Sequence, residues 1–183
     1  MIKFTVLAIL FSLLAPPGLK ADQNDAMLDA LFARLQQTAD SDEAADIEQS
    51  IWTAWIHHDD GQISKRMSIG INAMNRGAFK LSILAFGEIV EIDPGYAEGW
   101  NKRATAYYLL GNYEASVFDI QNTLALEPRH FGALSGLGLI YSAIGKDRAA
   151  LKAWEKALTI NPQMPGIKAK IKDLRQILEG QQT

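Results

Sequence analysis

Apolar residues recur along this chain with the period of an α-helix, with polar residues between them. In residues 26–58, apolar side chains recur three or four positions apart, which predicts a pair of amphipathic helices. The last segment, from Pro165 to Gly180, places Ile167, Ile171 and Leu174 on one face. Proline suits the first turn of a helix, so this segment is predicted to form a final amphipathic helix.

Between these ends, three prolines recur at an interval of 34 residues. They are Pro94, Pro128 and Pro162, in the segments VEIDP, LALEP and LTINP. A glycine lies 17 residues before each proline, and a small residue lies 7 residues before each glycine. These two columns are Gly77, Gly111 and Gly145, and Gly70, Ala104 and Gly138. Agreement of several columns at one interval indicates an internal repeat.

Each repeat has the features of a helical hairpin. The central glycine suits the end of a first helix because glycine tolerates a positive φ. The proline marks the end of a second helix, since the residue before a proline avoids the helical region. A bulky column (Phe86, Ile120 and Trp154) can fill the space beside the small column. One hairpin cannot bury its apolar side alone, so the hairpins are predicted to stack.

The repeat resembles the tetratricopeptide repeat (TPR). The middle unit carries the characteristic residues of that family, which are Trp100, Ala104, Tyr107, Gly111, Tyr113 and Pro128. The third unit matches through Ala150, Trp154, Ala157 and Pro162, and the first departs from the pattern at Arg66 and Ala73. The resemblance implies an all-α fold, a right-handed superhelix of stacked antiparallel hairpins. It also implies a role in binding other proteins.

The expected organisation has six segments. They are a signal peptide (1–21), an N-terminal helix pair (22–62), three repeats (63–96, 97–130 and 131–164), and a C-terminal capping helix and tail (165–183). Trp52 falls in the column of Phe86 and Trp154, so the N-terminal pair is interpreted as a degenerate fourth repeat that caps the stack. The alternative is an unrelated helix pair used for self-association, which would give a homo-oligomer.

The first 21 residues have the pattern of a secretory signal peptide. Lys3 precedes an uncharged, mainly apolar stretch from Phe4 to Ala15, and Pro16-Pro17-Gly18 then interrupts any helix. Such a stretch is shorter than the roughly 20 residues that span a bilayer. We therefore expect cleavage after Ala21 and a periplasmic or secreted protein, with no permanent membrane span. The absence of cysteine fits an oxidising compartment.

Charge and motifs argue against nucleic-acid binding and catalysis. The net charge is −3 and no run of basic residues occurs, whereas nucleic-acid binding needs a basic face. His57 and His58 are adjacent and would point about 100° apart on a helix, which is poor geometry for one metal ion. The three glycines of EPRHFGALSGLGLIY lie within a predicted helix, so they do not form a phosphate-binding loop. We expect no cofactor and no metal.

Arg103 stands out because the equivalent positions hold Ile69 and Leu137. A charge at an inward-facing position needs a partner or access to water. One interpretation is an ion pair inside the stack, with Asp119 on the facing helix. The other is a groove position that receives a carboxylate from a ligand.

The resemblance implies that the first helix of each repeat lines a concave groove. The positions of this sequence that match the family's groove positions are Met67, Ile71, Met74, Asn75, Asn101, Thr105, Tyr108, Ser135, Leu139 and Ser142. TPR chaperone adaptors hold a C-terminal carboxylate with Lys, Arg and Asn, but here only Asn101 matches. The expected ligand is therefore a peptide with apolar side chains anchored at Tyr108, with Arg129 and His130 at the rim.

The expected function is a non-catalytic interaction scaffold or adaptor in the bacterial cell envelope. One alternative is a self-assembling structural envelope protein, joined through the Trp52/Trp55 face or the terminal helix. The other is a metal-binding protein or enzyme that uses His57, His58 and His130.

Overall fold

A computed structural model describes residues 26–180, and the regular structure of that range is entirely α-helical. Within this range nine helices follow one another: α1 (Ala26–Gln37), α2 (Ser41–Ile56), α3 (Gly61–Asn75), α4 (Phe79–Ile92), α5 (Ala97–Leu109), α6 (Tyr113–Leu126), α7 (Phe131–Ala143), α8 (Asp147–Ile160) and α9 (Pro165–Gly180). The predicted all-α, TPR-type fold class is confirmed. The expected signal peptide lies outside the described residues.

The three repeats are the hairpins α3–α4, α5–α6 and α7–α8. Each hairpin turns at the predicted glycine, and Gly77, Gly111 and Gly145 have φ values of +74°, +82° and +70°. The second helix of the first two hairpins is also tied to the first helix by a buried hydroxyl. Ser82 donates to the carbonyl of Gly70 over 2.9 Å, and Ser116 donates to the carbonyl of Ala104 over 2.7 Å.

The small column is the surface on which the second helix of a hairpin packs. A Cβ on Gly70 would overlap the ring of Phe86, and a Cβ on Gly138 would overlap the ring of Trp154. Trp154 is fixed there, because its indole N–H donates to the carbonyl of Ser135 over 3.2 Å. The pairing of small and bulky columns inferred from the sequence is therefore present.

The N-terminal pair α1–α2 corrects one expectation, because it does not stack on α3 as a fourth repeat. Its apolar residues instead share a core with the start of α7 and the end of α8. Two missing features explain the difference. The position 34 before Gly70 is Gln36 and the position 34 before Gly77 is Glu43, so this pair has neither the small residue nor the turn glycine.

At the other end of the chain, α9 covers the last repeat. Ile167, Ile171 and Leu174 are buried and form one cluster with Ala150 and Trp154 of α8. The remaining faces of α9 are exposed and mainly polar, apart from Ile177. The helix thus covers the apolar side that α7–α8 would otherwise present to water.

Two glycines of α7 give a matched test of this packing. Gly138→Ala should lower the free energy of unfolding by about 1–3 kcal/mol, since the rigid indole of Trp154 must move. In Gly136→Ala, the new Cβ would meet only the Cδ1 of Ile120 at 3.7 Å. That variant should gain up to about 1 kcal/mol from helix propensity. Urea unfolding of both variants measures the difference, and equal effects would contradict the packing role of Gly138.

Candidate functional site

The candidate site is the face lined by the first helices of the repeats, α3, α5 and α7, which we call the inner face. Helix α2 runs along one edge of it, past the N-terminal ends of these three helices. Ile56 packs against the cluster that contains Ile63 and Met67 of α3. The hydroxyl of Tyr96, just before α5, donates to the carbonyls of Trp55 and Ile56 at 3.0 and 2.9 Å. The Tyr96 hydroxyl thus caps the end of α2.

Two tryptophans of α2 attach it to the start of α7. The indole of Trp55 stacks on the ring of His130, with centroids 4.0 Å apart and planes 10° apart. Trp52 packs edge-on against Phe131 with centroids 5.5 Å apart, and a Cβ on Gly132 would overlap its ring. Gly132 is therefore needed for the close approach of Trp52. The Trp52/Trp55 face proposed for self-association is instead covered within the same chain.

The N-terminal pair is linked to the turns at the ends of the repeats by hydrogen bonds and ion pairs, which involve the same repeat position in each turn. The residue before each repeat proline is polar, and its side chain accepts the N–H of the residue two positions ahead over 2.9 Å. These residues are Asp93, Glu127 and Asn161. Each also joins the N-terminal pair, directly or through one neighbour. The three links are His58 to Asp93 at 3.2 Å, Asn161 to Glu48 at 2.8 Å, and Glu127 through Arg129 to Asp29.

A buried polar network lies beneath the tryptophans. The Nδ1 of His130 accepts the N–H of Ala133 over 3.0 Å, so a neutral ring carries its proton on Nε2. That nitrogen donates to the Glu98 carboxylate over 2.9 Å, and Asn101 donates to the same oxygen over 3.0 Å. The Nζ of Lys102 lies 2.9 Å from the other oxygen. The network therefore pairs the buried carboxylate with one cation and two hydrogen-bond donors.

Opposing effects set the pKa of Glu98. Burial raises it, but the bond from His130 and the positive charge of Lys102 outweigh burial, and the pKa lies below its ordinary 4.5. Glu98 is therefore an ionised carboxylate in a buried site, which is stable because its charge is paired and hydrogen-bonded.

Two predicted rim residues have other roles in the structure. His130 is fully buried and caps the N-terminus of α7, so a rim position for it is wrong. Arg129 is bound to Glu127 and to Asp29, and its guanidinium lies 4.5 Å from the centre of the Phe32 ring. Arg129 therefore joins the repeats to α1.

Arg103 and Asp119 form the predicted ion pair. The Nε and Nη2 of Arg103 donate to the two carboxylate oxygens of Asp119, each over 2.8 Å. The guanidinium also lies 5.0 Å from the ring centre of Trp100 and 5.9 Å from that of Tyr107. Its bonds to Asp119 raise the pKa of Arg103. Burial raises the pKa of Asp119, against the opposing effect of the two bonds. The guanidinium of Arg103 is thus held by contacts within the stack.

The open part of the inner face contains a pocket of about 260 Å³ between α5 and α7. Five of the predicted groove residues line it: Asn101, Thr105, Tyr108, Ser135 and Leu139. Gly136 opens onto it, and its lining contains no charged side chain. This lining is mixed apolar and uncharged polar.

A second pocket of about 380 Å³ lies where α2 meets α3. Met67 and Ile71 line it together with Ile56, His57 and His58 of the N-terminal segment. The other predicted groove residues lie outside both linings. These are Met74, Asn75 and Ser142. The residues predicted to line one groove are thus split between two pockets, because α2 occupies one edge of the inner face.

The histidines do not assemble a metal site in the part of the chain that the structure describes. His57 pairs with Asp59 at 3.2 Å, and His58 pairs with Asp93 at 3.2 Å. No group of three or more His, Asp or Glu side chains within residues 26–180 is placed to hold a metal ion. None of the helices in that range is long and apolar enough to cross a membrane.

Tyr96 and the turn residues were not identified as site residues from the sequence. The 34-residue interval carries a signal for them, since Asp93, Glu127 and Asn161 occupy one column and Tyr96 and His130 occupy another. The sequence does not show that the N-terminal pair covers both columns. That contact depends on tertiary packing between the two ends of the chain.

The fold and the repeat spacing define a helical-hairpin solenoid, and comparison with known proteins agrees. The family model described as tetratricopeptide repeat matches residues 132–164. A TPR repeat-containing protein of Rhizobium etli is 36% identical over 156 residues, covering 85% of this chain and 76% of that protein. The small glutamine-rich tetratricopeptide repeat-containing protein 2 of Saccharomyces cerevisiae is 27% identical over 70% of this chain but only 37% of its own length.

Solved structures show the same fold. The first TPR of Spaghetti (RPAP3), bound to HSP90 peptide SRMEEVD, has a TM-score of 0.63 at 22% identity, over 68% of this chain and 98% of that one. MamA has a TM-score of 0.59 at 21% identity, over 82% of this chain and 80% of its own. The chain belongs to the tetratricopeptide-repeat family.

Arg103→Met tests the structural role of the ion pair. The substitution leaves the buried carboxylate of Asp119 unpaired, which should lower the free energy of unfolding by about 3 kcal/mol. The double variant Arg103→Met with Asp119→Leu should recover part of this loss, because it removes both charges. Urea unfolding measures the effect, and unchanged stability in Arg103→Met would contradict the structural role.

Proposed function

We propose that this protein is a non-catalytic interaction scaffold or adaptor that binds an apolar peptide or protein segment at the open part of its inner face. The observation that carries the proposal is the uncharged pocket between α5 and α7. Such a pocket accepts an apolar side chain, and its hydroxyl groups can orient the backbone of the segment that carries it. Tyr108 is the main anchor, because large amphipathic aromatics dominate binding surfaces of this kind.

The cations near the inner face favour an uncharged ligand over an acidic one. Lys102 is paired with Glu98 and lies 5.2 Å from the ring centre of Trp52. Arg103 is paired with Asp119. The solved TPR relatives include complexes with the HSP90 peptide SRMEEVD and with pHsp70. An acidic C-terminal peptide would find no unpaired lysine or arginine in the pocket described here, so the proposed ligand class differs from SRMEEVD.

Helix α2 limits where a partner can bind. Leu35, Ile51 and Trp55 are almost completely buried, and burial of such a side chain stabilises by about 1.5–3 kcal/mol each. Displacing the N-terminal pair would therefore cost more than a short peptide returns. The partner binds beside α2, at the pocket between α5 and α7.

The proposal includes export to the bacterial cell envelope. Residues 1–21 carry a charged start, an apolar stretch and a helix-breaking Pro16-Pro17-Gly18 segment, which is the composition of a cleavable signal. The bacterial source of the Rhizobium etli relative supports the bacterial part of this proposal. A partner in the same compartment would meet the protein after export.

Filling the pocket should abolish partner capture without unfolding the protein. Gly136→Leu places a side chain into the open space beside Ile120, and Tyr108→Ala removes the anchor. Both variants should lose partners that the wild-type chain retains from an envelope extract, with unchanged helicity by circular dichroism. Leu84→Ala is the control, because Leu84 is 65% exposed on α4 and is absent from the pocket lining. Retention of the same partners by both pocket variants would contradict the groove.

Export is tested by fractionating bacteria that produce the full chain with a C-terminal tag. We expect periplasmic protein whose intact mass lacks residues 1–21. Leu10→Arg should keep the protein in the cytoplasm, since a charge interrupts the apolar stretch, whereas Leu10→Val should not. Full-length protein in the cytoplasm for the wild-type chain would contradict export.

A further inference from the structure

A second groove lies at the C-terminal end of the solenoid, away from the inner-face pocket. It has a volume of about 580 Å³ and runs between α8 and α9. Leu158 and Ile171 contribute apolar surface, and Lys168, Lys172 and Arg175 lie along the α9 side. This groove is separate from the surface in the proposed function.

The repeat register explains what this groove is. In each complete repeat, the second helix packs on the small column of the first helix, as Trp154 packs on Gly138. Helix α9 follows α8 as a further first helix would, and the position 34 after Gly138 is Lys172. Lys172 lines the groove. The groove thus lies beside the position where the second helix of a fourth hairpin would pack, and no helix of residues 26–180 covers it. Lys172 stands there in place of a small residue, so a helix bound in this groove lies farther from α9 than α8 lies from α7.

The C-terminal segment has an excess of basic residues, unlike the chain as a whole. Residues 147–180 contain seven basic and four acidic residues, whereas the whole chain has a net charge of −3. Arg175 bonds to Glu155 over 2.6 Å. Lys168 and Lys172 are exposed, and neither has an ion-pair partner among the residues that the structure describes. Glu155 and Glu179 also line the groove. Its lining therefore combines apolar surface with three basic and two acidic residues, a small excess of positive charge to which Lys168 and Lys172 contribute.

We propose that this groove binds one helix of a partner protein, which lies along α8 and α9 without the close contact that a second helix makes in a complete repeat. The occupant is an amphipathic helix with the apolar spacing of α4, α6 and α8 and with acidic residues beside its apolar stripe. The apolar stripe packs mainly on Leu158, because α8 already covers most of Ile171, and the carboxylates pair with Lys168 and Lys172. This is helix-in-groove recognition, and opposite charges set which helices are accepted.

The chain itself supplies a matched pair of probe peptides. Residues 112–127 (α6 with its flanks, NYEASVFDIQNTLALE) have the second-helix pattern, three acidic residues and no basic residue. Residues 146–161 (α8 with its flanks, KDRAALKAWEKALTIN) have the same pattern, with four basic and two acidic residues. The two peptides share length and repeat register, so a difference in binding reports charge.

The test is fluorescence anisotropy of each labelled peptide titrated with the full chain at low salt. The acidic peptide should bind on the order of tenfold more tightly than the basic one, and raised salt should reduce the difference. Lys168→Glu with Lys172→Glu should weaken binding of the acidic peptide by about tenfold or more. Lys170→Glu is the control, because Lys170 is exposed on the same helix but does not line the groove.

Two results would overturn the proposal. Equal loss in Lys170→Glu and in the groove variant would mean non-specific attraction to a basic surface. Equal binding of the acidic and basic peptides, or binding of neither, would mean that the groove does not select an acidic helix. Circular dichroism confirms that each variant remains folded. Partner capture by the inner face is measured separately, so the two proposals fail independently.

Discussion

The packing of Trp52 and Trp55 against the start of α7 determines which surfaces of this protein are open. The two indoles lie on His130, Phe131 and Gly132, and through them α2 is fixed along the edge of the inner face. The buried polar residues next to this contact depend on it. Glu98 can remain charged in a buried site because His130 is turned towards it, and Lys102 is drawn between Glu98 and Trp52.

The repeats could be predicted from the sequence because their physical causes are local. A glycine with positive φ, a small residue beneath a bulky one and a proline after the second helix all recur at one interval. The Arg103–Asp119 pair could also be predicted, since a charge among apolar equivalents needs a partner nearby. Five of the residues that line the pocket followed from the same register.

The position of the N-terminal pair could not be predicted in this way. Trp52 matched the bulky column, but this match carries structural information only when a small residue faces it, and Gln36 stands at that position. His130 was expected at a rim because it lies in the turn between two repeats, at the edge of the implied groove. Its burial depends on Trp55, which comes from a segment 75 residues earlier in the sequence. Only tertiary packing supplies that information.

The links between the two ends of the chain also bear on how the molecule folds. Glu48 and Asn161 are 113 residues apart, and Thr38 and Gln163 are 125 residues apart. Solenoid repeats ordinarily contact only their neighbours, so folding can begin anywhere and spread. Here the first helices to be synthesised find their binding surface only when residues up to 163 have been made. Contacts of such high sequence separation slow folding. They also join the N-terminal pair and the last repeat into one unit. Removing either of them should therefore destabilise the other repeats as well.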